Sequence, residues 1–346
     1  MGDRPAKSRS MRIVAPVGSM VDALAVLEAG ADELYCGFMP ASWRSVFGEA
    51  DVLSRRQGAP AHVRDESSLE RIVQAGHRLN RRVALAINGH YSAAQAPRVV
   101  DLARRWETMG GDSVIVADPG ILLRLSDAGS GLDRHLSLMA GVFNAEAARF
   151  FHRLGATRIV LPRELSIDDM AVVTCDGPPV EYEALAMYQK CPFIDGLCRF
   201  YHDVRLPSGE PTEFDYEPTS ALAWTHDPEY EGHGCQLPWE GAQGPVRLPL
   251  HDDEIAPPCA ACDLGQLADV GVGFAKIAGR GYSAGLIVKA VRFLVQAREF
   301  HAQYASRAEA AACIRSHYAS TFGGPCDRAR CYYPEPDGVP AGESPR

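Results

Sequence analysis

Lysine is scarce in this chain of 346 residues, occurring only at positions 7, 190, 276 and 289. The formal net charge is −9. Together these argue against a broad nucleic-acid-binding face, which needs clustered positive charge. They leave room for a local basic groove from Arg44, Arg55 and Arg56, weighed against the plainer reading of a solvated arginine loop. Long apolar runs are also missing, and none approaches the length needed to cross a bilayer. The opening MGDRPAKSRSMRIV has basic residues but no apolar signal core, and Ser8 comes too late for a myristoylation pattern. The expected compartment is the cytosol, with no membrane partner. No GxGxxG turn, P-loop, HExxH helix or GxSxG elbow occurs. Nucleotide binding is therefore not signalled, and the common zinc and serine hydrolase routes lack their motifs.

What is present is a regular alternation. RIVAPVG, SMVDALAVLEAG and ADELYCGF read as strand, helix and strand, with Gly30 placed to end the helix. The strands are continuously apolar, as in a parallel sheet covered on both faces. The pattern resumes with a helix capped by Ser67 or Ser68, the strand RRVALAIN, the helix APRVVDLARRWETMGG and the strand DSVIVAD. A helix from Pro119 follows, then RHLSLMAG, a helix capped by Asn144, TRIVLPREL, SIDDMAVVT and PVEYEALAM. Short connections and strict alternation favour an α/β fold, a (β/α) TIM-like barrel, over an open doubly wound sheet. Residues 1–10 read as a disordered lead-in, 11–198 as the first part of the barrel and 39–66 as a long loop within it. Residues 199–258, rich in Pro, Gly and aromatics, read as a β-rich insertion near the barrel mouth. Residues 259–305 supply the closing unit, and 306–346 a helix followed by a cysteine-containing tail.

Ten cysteines in a chain expected in the cytosol point to reduced thiols or metal ligands more than to disulfides. Cys36 and Cys175 fit the role of small buried apolar residues. Cys191 and Cys198 are too far apart for a zinc-ribbon knuckle, Cys235 sits in a glycine-flanked turn, and Cys259 and Cys262 form a CxxC. Soft thiolates suit zinc or an iron–sulfur cluster, and spacing alone does not decide between them. Cys313, Cys326 and Cys331 form a further group near the C-terminal end, conceivable as a second metal site with Cys262. Alternatively, the tail closes over the barrel mouth and Cys326 or Cys331 replaces Cys235.

Several stretches resemble the collagenase-like peptidase family known as U-thirty-two. APVGSMVDALAVLEAGADELYCG resembles its opening segment. HLSLMAGVFN, with His135, Ser137 and Asn144, resembles its H-x-S-x-Q…N segment. GATRIVLPRELS, with Arg163 and Glu164, resembles a further strand. EALAMYQKCPFIDGLC resembles its signature, in which Glu183 precedes one cysteine and a second follows. CAACDLGQLADVGVGFAKIAGR resembles its ending.

The resemblance implies a barrel-like catalytic module and a four-iron four-sulfur cluster on four cysteines, with zinc as the alternative metal. Cys191 and Cys198 match the signature. Cys259 matches the last ligand, with Cys262 as competitor, and Cys235 is third by order. Met187 stands where the family has a histidine, and Tyr188, Gln189 and Lys190 replace a small-residue triplet. Met139 replaces a common glutamine. Mechanisms needing that histidine or glutamine do not carry over.

Candidate catalytic residues are Glu183, His135, Arg163, Glu164 and Lys276, with Asn88, His90, Asp118 and Arg280 as further strand-end polar candidates. Lys276 is read as an anion anchor or a Schiff-base lysine. Arg163 and Glu164 are read equally as a structural ion pair, and Glu183 as a base or as an acceptor from Arg163. Relatives in the family imply oxygen-independent hydroxylation of ubiquinone precursors or RNA bases. The acidity of this chain favours a small-molecule substrate. A peptidase is the alternative, and a non-catalytic cluster-bearing subunit working with a paralogous partner is a third reading.

Overall fold

The computed structural model describes residues 11–47, 53–55, 61–190, 195–196, 239–241, 244–246 and 257–334. Within them the expected alternation is realised. The elements are β1 (Arg12–Pro16), α1 (Met20–Glu28), β2 (Glu33–Gly37), α2 (Ala41–Phe47), α3 (Glu66–Arg78), β3 (Arg82–Ile87), α4 (Ala96–Thr108), β4 (Ser113–Val116) and α5 (Pro119–Asp127). They continue with β5 (Asp133–Leu136), α6 (Ala145–Arg153), β6 (Arg158–Val160), α7 (Ile167–Asp176) and β7 (Glu181–Met187). A short antiparallel hairpin, β8 (Trp239–Gly241) and β9 (Gly244–Val246), lies in the segment expected to be β-rich. The chain then runs through α8 (Leu264–Asp269), β10 (Phe274–Ile277), α9 (Ala284–Gln303) and α10 (Arg307–Phe322).

Eight parallel strands close in the order β1-β10-β7-β6-β5-β4-β3-β2. This is a TIM-barrel-like α/β fold. The closing contact is made by β10, which pairs with both β1 and β7. The strand β2 is buried along its whole length and β3 along all but its first residue, as expected between an inner core and a helical coat.

Local chemistry sets the helix ends. Asn144 caps α6, accepting from Ala147 N–H at 2.8 Å, and Pro119 opens α5, as expected. Gly30 ends α1 at φ 104°, a left-handed angle that suits glycine. For α3 the cap is Asp65 rather than Ser67 or Ser68, its carboxylate accepting from Ser68 N–H at 2.8 Å. Hydrogen bonds from Ser68, then from Ser67, hold the Asp65 pKa below its ordinary value. The expected loop over 39–66 contains α2. That helix is too short to show a period, and Trp43 holds it by packing on Phe47 and edge-on to Tyr91.

Inward-facing positions on the barrel strands carry a small apolar set, Val14, Tyr35, Ala84, Ala86, Ile115 and Phe274. Buried charged or titratable side chains Glu33, His135, Arg158, Glu183 and Lys276 stand among them, and these carry the candidate chemistry. Among the described residues, no helix is long and apolar enough to cross a membrane.

Candidate functional site

Two polar regions share the barrel. The first fills its interior. Arg158, fully buried, donates to Glu33 through Nη1 at 2.7 Å and Nη2 at 2.8 Å. It also donates to Glu183 Oε2 at 2.9 Å and to Glu181 Oε2 at 3.0 Å. Its guanidinium carbon lies 3.5 Å from the centre of the Phe274 ring. On the other side of Glu183, Lys276 Nζ donates to Oε1 at 2.6 Å while lying 4.3 Å from the Tyr35 ring centre. Strand alternation explains the grouping: residues two apart on a strand share a face, and one buried residue per strand converges on the axis.

This network decides the charge states. Burial is the largest influence on Glu183 and pushes its pKa up, but Lys276 and Arg158 together outweigh it and hold the carboxyl below its ordinary value. Glu33 is pushed up by burial, which Arg158 only partly offsets. His135 is driven well below its ordinary value by burial, then by Arg158 and Lys276, and is therefore neutral near pH 7. Its Nδ1 lies 3.7 Å from Glu33 Oε1, too long for a hydrogen bond, and its buried Nε2 has no partner. Glu33, His135 and Glu183 bring donor atoms within 4.8 Å of one another. Both carboxylates are already engaged by Arg158 and Lys276, so a cation there would have to displace those partners.

The second region lies at the mouth, past the end of β7. Arg163 and Glu164 grip the signature loop through Asp195, which lies between Cys191 and Cys198. Arg163 donates to Asp195 through its backbone N–H at 3.0 Å, through Nε at 2.9 Å, and through Nη2. Its Nη1 donates to the Gln189 carbonyl at 2.5 Å, and Asp195 N–H donates to Glu164 Oε1 at 3.0 Å. Burial, then Asp195, raises the Glu164 pKa. The loop also seats Gly196 against Gly141: a Cβ on Gly196 would lie 2.8 Å from the Gly141 Cα. Here a glycine is required by close approach of two backbones.

Tyr188 and Gln189 leave β7 at φ 62° and 50°, left-handed angles that are uncommon for residues with side chains. The residues that depart from the family pattern hold the C-terminal segment. Lys190 Nζ donates to the Cys331 carbonyl at 2.6 Å, and the Tyr332 hydroxyl donates to the Tyr188 carbonyl. The Tyr333 hydroxyl donates to the Leu185 carbonyl at 2.9 Å. Cys259 bridges to Met187 on one side and to Cys331 on the other. A small, partly open pocket of about 20 Å³ is lined by Cys259, Cys262, Cys326 and Cys331 together with Asp263 and Arg330. All four thiols are free. Burial raises the pKa of each thiol resolved: Cys259 strongly, Cys262 to about 12, and Cys331 by a smaller shift. The donor set suits a soft metal or an iron–sulfur cluster, which bind thiolates.

The expected site residues thus divide. Glu183, His135 and Lys276 meet in the barrel interior. Arg163 and Glu164 meet at the mouth on Asp195. The partner of Glu183 is Arg158, not Arg163, because the two arginines sit at opposite ends of the strand and loop that follow Thr157. Cys259 and its competitor Cys262 line one pocket, while Cys191, Cys198, Cys235 and Arg56 lie outside the described residues. Cys313 does not join Cys326 and Cys331; it interacts with Tyr304. Cys36 is buried as expected, whereas Cys175 is exposed. Asp118 is a helix cap, accepting from Gly120 N–H at 2.7 Å, and also accepts from Tyr91 N–H at 2.9 Å. Asn88 accepts from Arg55 N–H at 3.2 Å, His90 is exposed, and buried Arg280 donates to Ser54 at 2.8 Å. Glu33 and Arg158 were not among the candidates. The available signal was a charged residue at an inward strand position of an otherwise apolar run.

The model of peptidase family U32 matches residues 18–322. The chain belongs to peptidase family U32. Among curated proteins, it is 26% identical over 213 residues to the tRNA hydroxylation protein P of Helicobacter pylori, covering 60% of this chain and 47% of that one. It is 24% identical over 187 residues to the Escherichia coli protein of the same name, covering 54% and 38%. A collagenase of Porphyromonas gingivalis is 27% identical over 199 residues, covering 54% and 44%. The matches span less than half the length of each of these relatives. A solved U32 peptidase aligns over 54% of this chain and 72% of its own at 18% identity, with a TM-score of 0.39.

Proposed function

We propose that this U32 family member is an iron–sulfur enzyme of the oxygen-independent hydroxylation type, acting on a small molecule in the cytosol. The observation that carries the reading is the grip of Arg163 and Glu164 on Asp195. Two charged side chains, the half-buried Arg163 and the exposed Glu164, are spent on holding the buried Asp195, which lies between two signature cysteines. Such fixing is what a multi-cysteine centre needs, since its ligands must be held in place before the group is bound. The resemblance assigns the cluster to Cys191, Cys198 and Cys235 with Cys259, or with Cys262 in its place. When bound, the cluster supplies one-electron redox chemistry and a soft Lewis-acidic site.

The remaining roles belong to side chains of this chain. Lys276 carries positive charge beneath the mouth and is oriented by Glu183, which suits it to anchoring an anionic or oxygen-rich substrate rather than forming a Schiff base. Neutral His135 offers a buried, unpartnered Nε2, where it can hold or pass a proton. Arg163 and Glu164 are positioning residues.

A second reading, that the substrate is a base of an RNA, draws on the names of the Helicobacter and Escherichia relatives. The peptidase reading draws on the name of the Porphyromonas relative. It would need a base for a nucleophile, and His135 faces Glu33 rather than a thiol. The test is to compare metabolite extracts, tRNA nucleosides and peptide pools from cells with and without the gene, grown without oxygen. The proposal predicts loss of a small molecule that has gained one oxygen, restored by the wild-type gene and not by Lys276→Met. Loss of a modified nucleoside instead would select the RNA reading, and a change confined to peptides would select the peptidase.

A further inference from the structure

Residues 53–55 lie at the barrel mouth, over the ends of β3 and β10, and each is fastened by a different residue. The Tyr91 hydroxyl donates to the Leu53 carbonyl at 2.6 Å. Arg280, just past the end of β10, donates through Nη2 to the Ser54 hydroxyl at 2.8 Å. Asn88, just past the end of β3, accepts from Arg55 N–H at 3.2 Å. Leu53 and Ser54 are fully buried. Tyr91 is fixed in turn: its hydroxyl accepts from Gly89 N–H at 3.1 Å, and its own N–H donates to Asp118 at 2.9 Å. A backbone held at three successive residues gives the Arg55 side chain a fixed origin, as a preformed binding group needs.

The side chain so placed is unsatisfied. Arg55 Nε and Nη2 are both buried and have no hydrogen-bond partner among the described residues. These two nitrogens form the side-on edge of a guanidinium, the parallel pair of N–H donors that grips a carboxylate or a phosphate. Arg163 shows the same edge filled, its Nε and Nη2 taking the two oxygens of Asp195. Arg55 repeats the donor pair without the acid. The neighbouring acid, Asp118, is already engaged by the backbone N–H groups of Gly120, Ile121 and Tyr91. Withdrawing guanidinium donors from water without an acceptor is unfavourable, and a solvated arginine loop does not do it. Arg280 brings a second guanidinium to the residue next to Arg55, packed so closely on Gly37 that a Cβ there would collide with its Nη1. Its charge also reaches Cys36, whose thiol burial pushes up to about 12 against the opposing pull of Arg280. Two guanidinium groups gathered at one buried segment favour an anionic ligand.

We propose that the Nε–Nη2 edge of Arg55 binds one oxyanion, a carboxylate or a phosphate, of the small-molecule substrate, with Arg280 as a positioning residue for the segment that carries it. The site rests on the proposed function for the identity of the ligand as substrate, and not for the binding of an anion. It places the negative group of the ligand at the mouth, beyond Lys276 on the side of β3 and β10. A single buried edge suits one charged group of a compact molecule. A nucleic-acid backbone is instead met by clustered, exposed cations.

The test measures binding of malonate, inorganic phosphate and chloride to the full-length chain by calorimetry at equal ionic strength, in the wild type, Arg55→Lys and Arg44→Ala. Arg55→Lys keeps the charge and removes the paired donors. Malonate or phosphate is expected to bind the wild type and Arg44→Ala alike, and Arg55→Lys about tenfold more weakly. The oxyanion that binds more tightly identifies the group. Arginine modification by phenylglyoxal, read by peptide mapping, needs no variant to fold: malonate or phosphate should slow it at Arg55, and chloride should not. Equal affinity of the wild type and Arg55→Lys, or modification of Arg55 that neither oxyanion slows, would overturn the site. Binding of a tRNA that depends on Arg55, with no response to malonate or phosphate, would overturn the small-molecule assignment in favour of RNA. Oxyanion binding without any oxygenated small molecule in the cell extracts keeps the site and removes the hydroxylation reading. An oxygenated small molecule with no oxyanion binding at Arg55 does the reverse.

Discussion

The barrel interior and the mouth pocket are both built from ionisable side chains withdrawn from water, yet only one of them is complete. Around Arg158, each charge meets an opposite charge at hydrogen-bond distance, and Phe274 and Tyr35 cover the cations. Around Cys259, like groups face like groups, and burial first, then the neighbouring thiols, push its pKa up. A network that satisfies itself gains nothing from a ligand. Buried thiols held neutral would give up their protons only when a cation stabilises the thiolates. The comparison separates an interior whose carboxylates already meet cations from a pocket whose thiols form no disulfide.

The comparison can be broken most forcefully at Arg158. Replacing it with Met leaves Glu33 and Glu183 buried with one cation fewer, and the expected loss of stability is about 3–5 kcal/mol. Urea unfolding measures it, and a loss below about 1 kcal/mol would show that the interior relaxes freely. Next comes Asp195→Asn, which weakens the grip of Arg163 at a nearly buried site. About 2 kcal/mol is expected, together with faster proteolytic cleavage between residues 190 and 200. Unchanged cleavage there would mean that Asp195 does not hold the loop.

Tyr332→Phe removes one hydroxyl donor to the Tyr188 carbonyl, and about 1 kcal/mol is expected. The loss should be accompanied by faster alkylation of Cys331. An unaltered alkylation rate would detach the tail's docking from the pocket's geometry.

The smallest effect concerns pH. His135 has a folded pKa well below its ordinary 6.5. The unfolded chain therefore takes up the proton first as pH falls through 6.5, and stability declines from there downward. Glu183, also depressed, adds a further loss below its ordinary 4.5. Glu33 is raised, so the folded state protonates first and returns part of that loss above 4.5. His135→Gln should flatten the slope of stability between pH 6.5 and 5, measured by denaturant titration at each pH. A slope identical to that of the wild type would place the acid sensitivity elsewhere.

Legibility followed the range of the interaction. Pro119, Asn144 and Gly30 act on neighbours within one turn, and their roles were readable from the chain. Asp65 displaced Ser67 and Ser68 as the α3 cap because all three are good caps, and only the entry path of the backbone selects among them. α2 depends on Trp43 reaching Tyr91, a contact across half a hundred residues that leaves no periodic trace. Arg158 and Arg163 are both arginines on one strand-and-loop segment, and nothing local says which will meet Glu183. In the folded chain, Arg158 occupies an inward strand position and Arg163 lies beyond the strand end.

What the chain alone determined is the barrel, through repeated apolar strands and amphipathic helices with their caps, and the family, through motifs in a set order. Both are written in short-range patterns. Tertiary structure alone decided which cysteines share a pocket. Cys259 and Cys262 are three positions apart in sequence, but Cys326 and Cys331 reach them only after α9 and α10 have packed. The physical reason is that thiols have no sequence code for their partners. Their meeting is set by the hydrogen bonds of Lys190, Tyr332 and Tyr333, which draw the tail onto the end of β7, and by Tyr318, which ties α10 to Pro257.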